Sequence, residues 1–167
     1  HADGEPLLAR GLALAETIGA RRFQSIVLGG LAACALAAGR LHDARERIEH
    51  ALALARETGM GFCGPLVLGT KARMLDDAGE REQCRTEAEA LLAQGCASHN
   101  SILFYRHGIE DALARGEWTR GLEHAAALEA YTRAEPLPYS DFLIARARTL
   151  VGLVSRPEDR ALREELS

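Results

Sequence analysis

The chain has 167 residues, 47% of them hydrophobic and 26% charged, with 24 acidic and 20 basic side chains and a formal net charge of −4. That length can bury a real core as one ordinary domain. The acidic balance argues against direct nucleic-acid binding, which calls for a basic stripe to displace counterions from phosphates. Nearly all the cations are arginines, spread through mixed runs such as Arg45-Glu46-Arg47, the pattern of solvated helix faces.

Alanine and leucine dominate while aromatics make up only 5%. Both are strong helix formers, and short alanines let helices approach closely, so the composition predicts an all-α chain. Cys34, Cys63, Cys84 and Cys96 form no C-x-x-C pair, and the expectation is reduced, mostly buried thiols in a cytoplasmic protein. No run reaches the roughly 18 apolar residues that read as a membrane span. The chain begins at His1-Ala2-Asp3 without an initiator methionine, so it is expected to be a fragment of a larger multidomain protein.

In chain order, a lone helix is predicted over 5–19. The next runs to Gly39, with Ile26, Leu28, Leu31, Ala32, Ala35 and Leu36 at three- and four-residue spacing. Asp43, with Glu46 three residues on, resembles a capping box for a helix carrying Ala44, Ile48, Ala51, Leu52 and Ala55 and closed by Gly59. A helix over 65–78, a turn at Gly79 and a helix over 80–93 ended by Gly95 follow. Then come a helix over 101–115, a turn at Gly116, and a helix to about Arg133. Pro136 and Pro138 break the chain before a helix over 140–154. Pro157 is expected in the first turn of a short terminal helix.

These elements repeat. Leu12-Ala13-Leu14-Ala15 overlies Leu52-Ala53-Leu54-Ala55 at an offset of 40, which also sets Gly19 on Gly59, Val27 on Val67, Gly29 on Gly69, Ala32 on Ala72 and Gly39 on Gly79. A third copy places Gly116 on Gly79 at an offset of 37. Such periods point to a stacked repeat architecture.

With Gly39 as the inter-helix glycine, Leu28, Leu31, Ala32, Ala35, Ala44, Ile48 and Ala51 fall on the pattern of tetratricopeptide (TPR) repeats, which this chain resembles. Departures are Arg56-Glu57-Thr58-Gly59 in place of the usual proline, and Lys71 and Gly108 where a large apolar residue is expected. The Ala-Leu-Ala-Leu-Ala endings are similar to the divergent arrays of bacterial multidomain ATPases with an adenylate-cyclase domain. They are also similar to those of transcription activators of the maltose-regulon type. The stretches from Tyr105 to Leu113 and Gly116-Glu117-Trp118 resemble the C-terminal ends of those proteins. The resemblance implies a right-handed α-α superhelix of about eight to nine helices. It implies one repeat domain over 1–167, with units over about 22–59, 62–95, 99–134 and 138–167.

Chemical motifs are weak. Gly59-Met60-Gly61-Phe62-Cys63-Gly64 spells G-x-G-x-x-G, but a helix rather than a strand precedes it, so an inter-repeat loop is expected. The stretch from Gly64 to Lys71 imitates a phosphate-binding loop with its Lys and Thr in the wrong order. Cys96 and His99, even with Cys84 and His107, fall short of paired zinc-ligand spacing. His42, His50 and His124 sit among charged residues, where solvated histidines are expected. No catalytic residue, metal or cofactor is assigned, and the chain is not expected to be an enzyme.

What remains is a groove. In arrays of this kind the first helix of each pair lines the concave face, which implies groove positions at Arg73 and Asp76, and at Arg106 and Glu110. Arginine there suits a carboxylate or a peptide carbonyl, the alternative being that these charges only solvate the helices. The expected function is a non-catalytic interaction module of a bacterial signalling or transcription-regulatory protein. Its partner would be a protein or peptide, or another domain of the same parent, with no nucleic acid and no membrane. A sensor for a small molecule or short peptide, relaying to an attached output domain, is the alternative. An uncovered array end would also leave apolar surface for a homodimer.

Overall fold

The computed structural model of this chain describes residues 4–156. Among them are eight α-helices and no strand. The helices are α1 (Glu5–Thr17), α2 (Arg21–Ala37), α3 (Leu41–Thr58), α4 (Gly64–Ala72), α5 (Ala78–Ala93), α6 (Ser98–Arg115), α7 (Trp118–Thr132) and α8 (Pro138–Ser155). The short helix expected at Pro157 lies outside the described residues. The helices group into two compact units, His1–Asn100 and Ser101–Ser167, with the division inside α6.

One turn recurs three times. Gly19, Gly39 and Gly116 lie in the left-handed region at φ +66°, +75° and +72°. After each, the next residue sends its N–H back five positions: Ala20 to Ala15, Arg40 to Ala35, and Glu117 to Ala112, at 2.8, 2.9 and 2.8 Å. The glycine N–H bonds the carbonyl three positions back, and together the two bonds satisfy helix-end carbonyls in the Schellman arrangement. The residues after the glycines share one conformation, with φ/ψ of −82°/67°, −85°/69° and −79°/60°, and the next helix starts at once. An L side chain in place of the glycine would cost the left-handed strain, so glycine is the residue the turn requires.

Gly79 is not such a turn. Helix α4 ends at Ala72, six residues short of the expected 78, and Gly79 lies in the first turn of α5. The reason is Asp77, whose carboxylate accepts the Glu80 N–H at 2.8 Å and starts α5 as its N-cap. The Met74 and Leu75 N–H groups bond back to Lys71 and Ala72, tightening the chain after α4. The Arg81 guanidinium then donates to the Asp76 carbonyl at 2.6 Å. Asp43, in contrast, is no cap: α3 starts at Leu41, and Asp43 in its first turn pairs with Arg40 at 3.4 Å.

In the first unit the core follows the small residues. Ala32 and Ala35 of α2 and Ala44, Ala51 and Ala55 of α3 are fully buried, beside Leu28, Leu31, Ile48 and Leu52. Short side chains let these helices cross closely enough for the Ser25 hydroxyl to donate to the Ala51 carbonyl at 2.7 Å. Val67 and Leu68 of α4 complete the core, with Val67 covering the face of Gly29. Lys71 at an apolar repeat position is resolved by its length: the ammonium reaches Glu49 at 2.7 Å while the side chain is only 25% exposed.

The second unit has its own cluster, Ile109 and Leu113 of α6, Ala125 and Leu128 of α7, and Ile144 and Ala147 of α8. Gly108 is explained here. A Cβ on it would meet the His124 ring at 2.8–3.0 Å, so the glycine makes room for the imidazole. His124 is therefore not the solvated histidine its charged neighbours suggested: it is buried, edge-on to Phe104 with ring centroids 5.7 Å apart.

Candidate functional site

The four groove positions expected from the sequence fall in different settings. Arg73 follows the last residue of α4, and Asp76 lies fully exposed in the linker, 4.0 Å from Arg45. Neither is on a helix face, because α4 stops early. Arg106 and Glu110 do lie one turn apart on α6, in the second unit. Each pair belongs to its own unit.

Around Glu110 the second unit opens a cavity of about 520 Å³. Leu113 and Ala114 of α6 and Trp118 at the start of α7 line one part of it. Helix α8 lines the other with Tyr139, Phe142, Leu143, Arg146, Leu150 and Val154, a stripe at three- and four-residue spacing. The floor is core, since Leu143 is 2% exposed, while Tyr139, Phe142 and Val154 stand 50–56% exposed. Pro138 in the first turn of α8 sets where that stripe begins.

The charged groups define the rim. The Arg106 guanidinium lies over the Tyr139 ring, 4.2 Å from its centroid, a cation–π contact that fixes both side chains. Its Nε is buried and makes no hydrogen bond. Glu110 and Arg146 both border the groove, and among the described residues neither has an ion-pair partner. Arg148, two residues from Arg146, is instead clamped by Glu129 through two bonds of 2.9 and 2.8 Å.

No known protein family, curated protein or solved structure matches this chain.

The G-x-G-x-x-G segment is a loop between α3 and α4 pinned by α6. The Asn100 carboxamide donates to the carbonyls of Phe62 at 2.8 Å, Ala97 at 3.1 Å and Gly61 at 3.4 Å. It accepts the Leu66 N–H at 3.4 Å. Gly64 packs so closely on Met60 that a Cβ would come within 2.9 Å of it. The Gly61 and Phe62 carbonyls of this loop are thus taken up by Asn100, as in a structural connection between helices. Among the described residues no three His, Cys, Asp or Glu side chains converge as metal ligands. Burial pushes the Cys63, Cys84 and Cys96 thiols up from their ordinary values, which disfavours the nucleophilic thiolate at neutral pH. Among the described residues no helix is long and apolar enough to cross a membrane.

Sequence reasoning singled out Arg106 and Glu110, which border this groove, but not its lining residues Trp118, Tyr139, Phe142 and Arg146. A signal was present: aromatics are scarce in this chain, yet its single tryptophan and a Tyr-x-x-Phe pair fall within 25 residues of one another. Helical periodicity could not say which of the apolar residues of α8 stay outside.

Proposed function

We propose that this chain is a non-catalytic, TPR-like helical interaction module that binds polypeptide in the α6–α8 groove of its second unit. The carrying observation is that groove: an apolar floor, half-exposed aromatic walls, and two charged groups at its rim that have no ion-pair partner among the described residues. Exposed aromatic and arginine side chains around a concave apolar surface are the composition of binding hot spots. The same glycine turn at Gly39 and Gly116, joining α2 to α3 and α6 to α7, supports the repeat reading, in which α2, α4, α6 and α8 are the first helices of successive pairs. On that reading the array is a right-handed superhelix and belongs to a cytoplasmic bacterial signalling or transcription-regulatory protein. The proposal rests on Arg106 and Glu110 rather than on Arg73 and Asp76.

Selection of displayed peptides against the 167-residue chain tests the reading. Peptides that bind should lose at least about tenfold in affinity to Phe142→Asp, because burying a phenylalanine on binding is worth about 1.5–3 kcal/mol. Selected peptides indifferent to Phe142→Asp, Trp118→Ala and Arg106→Glu alike would count against this groove. A second reading is favoured by the cavity volume of about 520 Å³, which suits a small molecule. It predicts that a metabolite screen raises the melting temperature through native-state binding, and that Phe142→Asp abolishes the rise.

A further inference from the structure

We propose that the polypeptide covering this groove is a second copy of the chain, docked groove to groove about a twofold axis. The inference rests on the interaction reading above and names its partner. It starts from the rim charges. Glu110 and Arg146 border one apolar groove, and among the described residues neither has an ion-pair partner. Among the described residues nothing pairs with this carboxylate or this guanidinium, although both border half-exposed aromatic rings. A twofold contact pairs both. In such a contact residue i meets j and residue j meets i. Glu110 of each copy then faces Arg146 of the other, and the same ion pair forms twice from residues already in the groove.

The apolar surface between them suits the same contact. Tyr139 and Phe142 stack with ring centroids 6.2 Å apart and planes inclined by 27°, so two neighbouring side chains of α8 form one exposed aromatic face. Offset stacking on the rings of a second copy is a preferred aromatic arrangement. Arg106 steadies that face from beneath Tyr139, which lowers the ordering cost on docking. Leu143 and Leu150 line the groove beside the two rings.

One groove of this size makes a small interface, so a weak dimer with a dissociation constant on the order of micromolar is expected. Sedimentation velocity of the 167-residue chain from about 1 to 100 µM should show concentration-dependent dimer. Glu110→Arg or Arg146→Glu alone places like charges opposite each other twice, and each should weaken the dimer about tenfold or more. The double variant Glu110→Arg/Arg146→Glu restores both pairs and should return to within about threefold of the parent. Phe142→Asp should leave monomer. Far-UV circular dichroism checks that each variant is folded, and the milder Glu110→Gln and Arg146→Gln should each weaken the dimer less than the charge reversals do.

A monomer at every concentration overturns the inference. So does a dimer unmoved by the single changes, or one that they weaken and the double change does not rescue. If the chain stays monomeric while Phe142→Asp still abolishes peptide binding, the second copy is ruled out and the polypeptide-binding reading stands.

Discussion

The wholly buried Asn100 carboxamide donates to the Phe62 carbonyl at 2.8 Å and so ties the start of α6 to the loop between α3 and α4. The same side chain serves the Ala97 and Gly61 carbonyls and the Leu66 N–H. Removing it strands several backbone groups where water does not reach them. Asn100→Ala is expected to cost about 2–4 kcal/mol, read by urea unfolding, because unsatisfied buried polar groups cost about 1–3 kcal/mol each. Asn100→Asp should be nearly as harmful, since it sets a carboxylate against carbonyl oxygens. A change below about 0.5 kcal/mol would refute this role for the side chain.

The glycine turns make a second set. Nothing lies within 4 Å of a Cβ built on Gly39, so Gly39→Ala measures backbone strain alone, and about 1–2 kcal/mol is expected. Gly79→Ala should be near neutral. Its helical position favours alanine, while the new Cβ would sit 3.1 Å from the Asp77 oxygen that caps α5. Melting curves of the two variants should separate clearly, and equal losses would overturn the distinction.

A third concerns Gly108. Alanine there would meet the Cδ2 and Nε2 atoms of the buried His124 ring at 2.8 and 2.9 Å. A ring held by its neighbours cannot swing away as a flexible chain end does, so a loss of about 1–3 kcal/mol is expected. The paired change Gly108→Ala/His124→Ala should lose less than the two single costs added together, because the smaller side chain accepts the methyl group.

The groove separates two adjacent residues. Phe142 is 56% exposed and Leu143 is 2% exposed. Leu143→Ala should cost about 2–5 kcal/mol of stability through the cavity it leaves. Phe142→Ala should cost under about 1 kcal/mol while weakening binding. If both unfold the chain equally, Phe142 is a core residue and not a binding one.

Stability should also fall in acid for a stated reason. The Arg148 guanidinium, by its hydrogen bonds to Glu129, holds that carboxyl below its ordinary value. Arg40, and then Arg47, do the same for Glu5. A lowered folded value means the contribution is full above the ordinary carboxylate range and is lost as pH falls through the folded value. The Glu129–Arg148 pair is about half exposed and the Glu5 pairs are only partly buried, so the effect is small and salt-screened. Glu129→Gln should flatten the decline of melting temperature below about pH 4.5, most visibly at low salt. An unchanged slope would show that the pair contributes nothing.

Much of this protein follows from sequence alone, because helix periodicity and glycine turns are local. Ala32, Ala44 and Ala51 announce a close crossing, and they are buried. Gly19, Gly39, Gly59, Gly95 and Gly116 announce positive φ where each of them has it. Even Gly79 failed for a local reason, since Asp77 outcompeted it for the start of α5. What sequence could not decide is which face of α8 is covered. Leu143, Phe142 and Arg146 share one amphipathic stretch, and only the packing of α6 and α7 beside it buries the first and exposes the others. Likewise Gly108 and His124 look like departures taken singly. They become one fitted pair only when two helices meet, because steric fit is a property of both surfaces together.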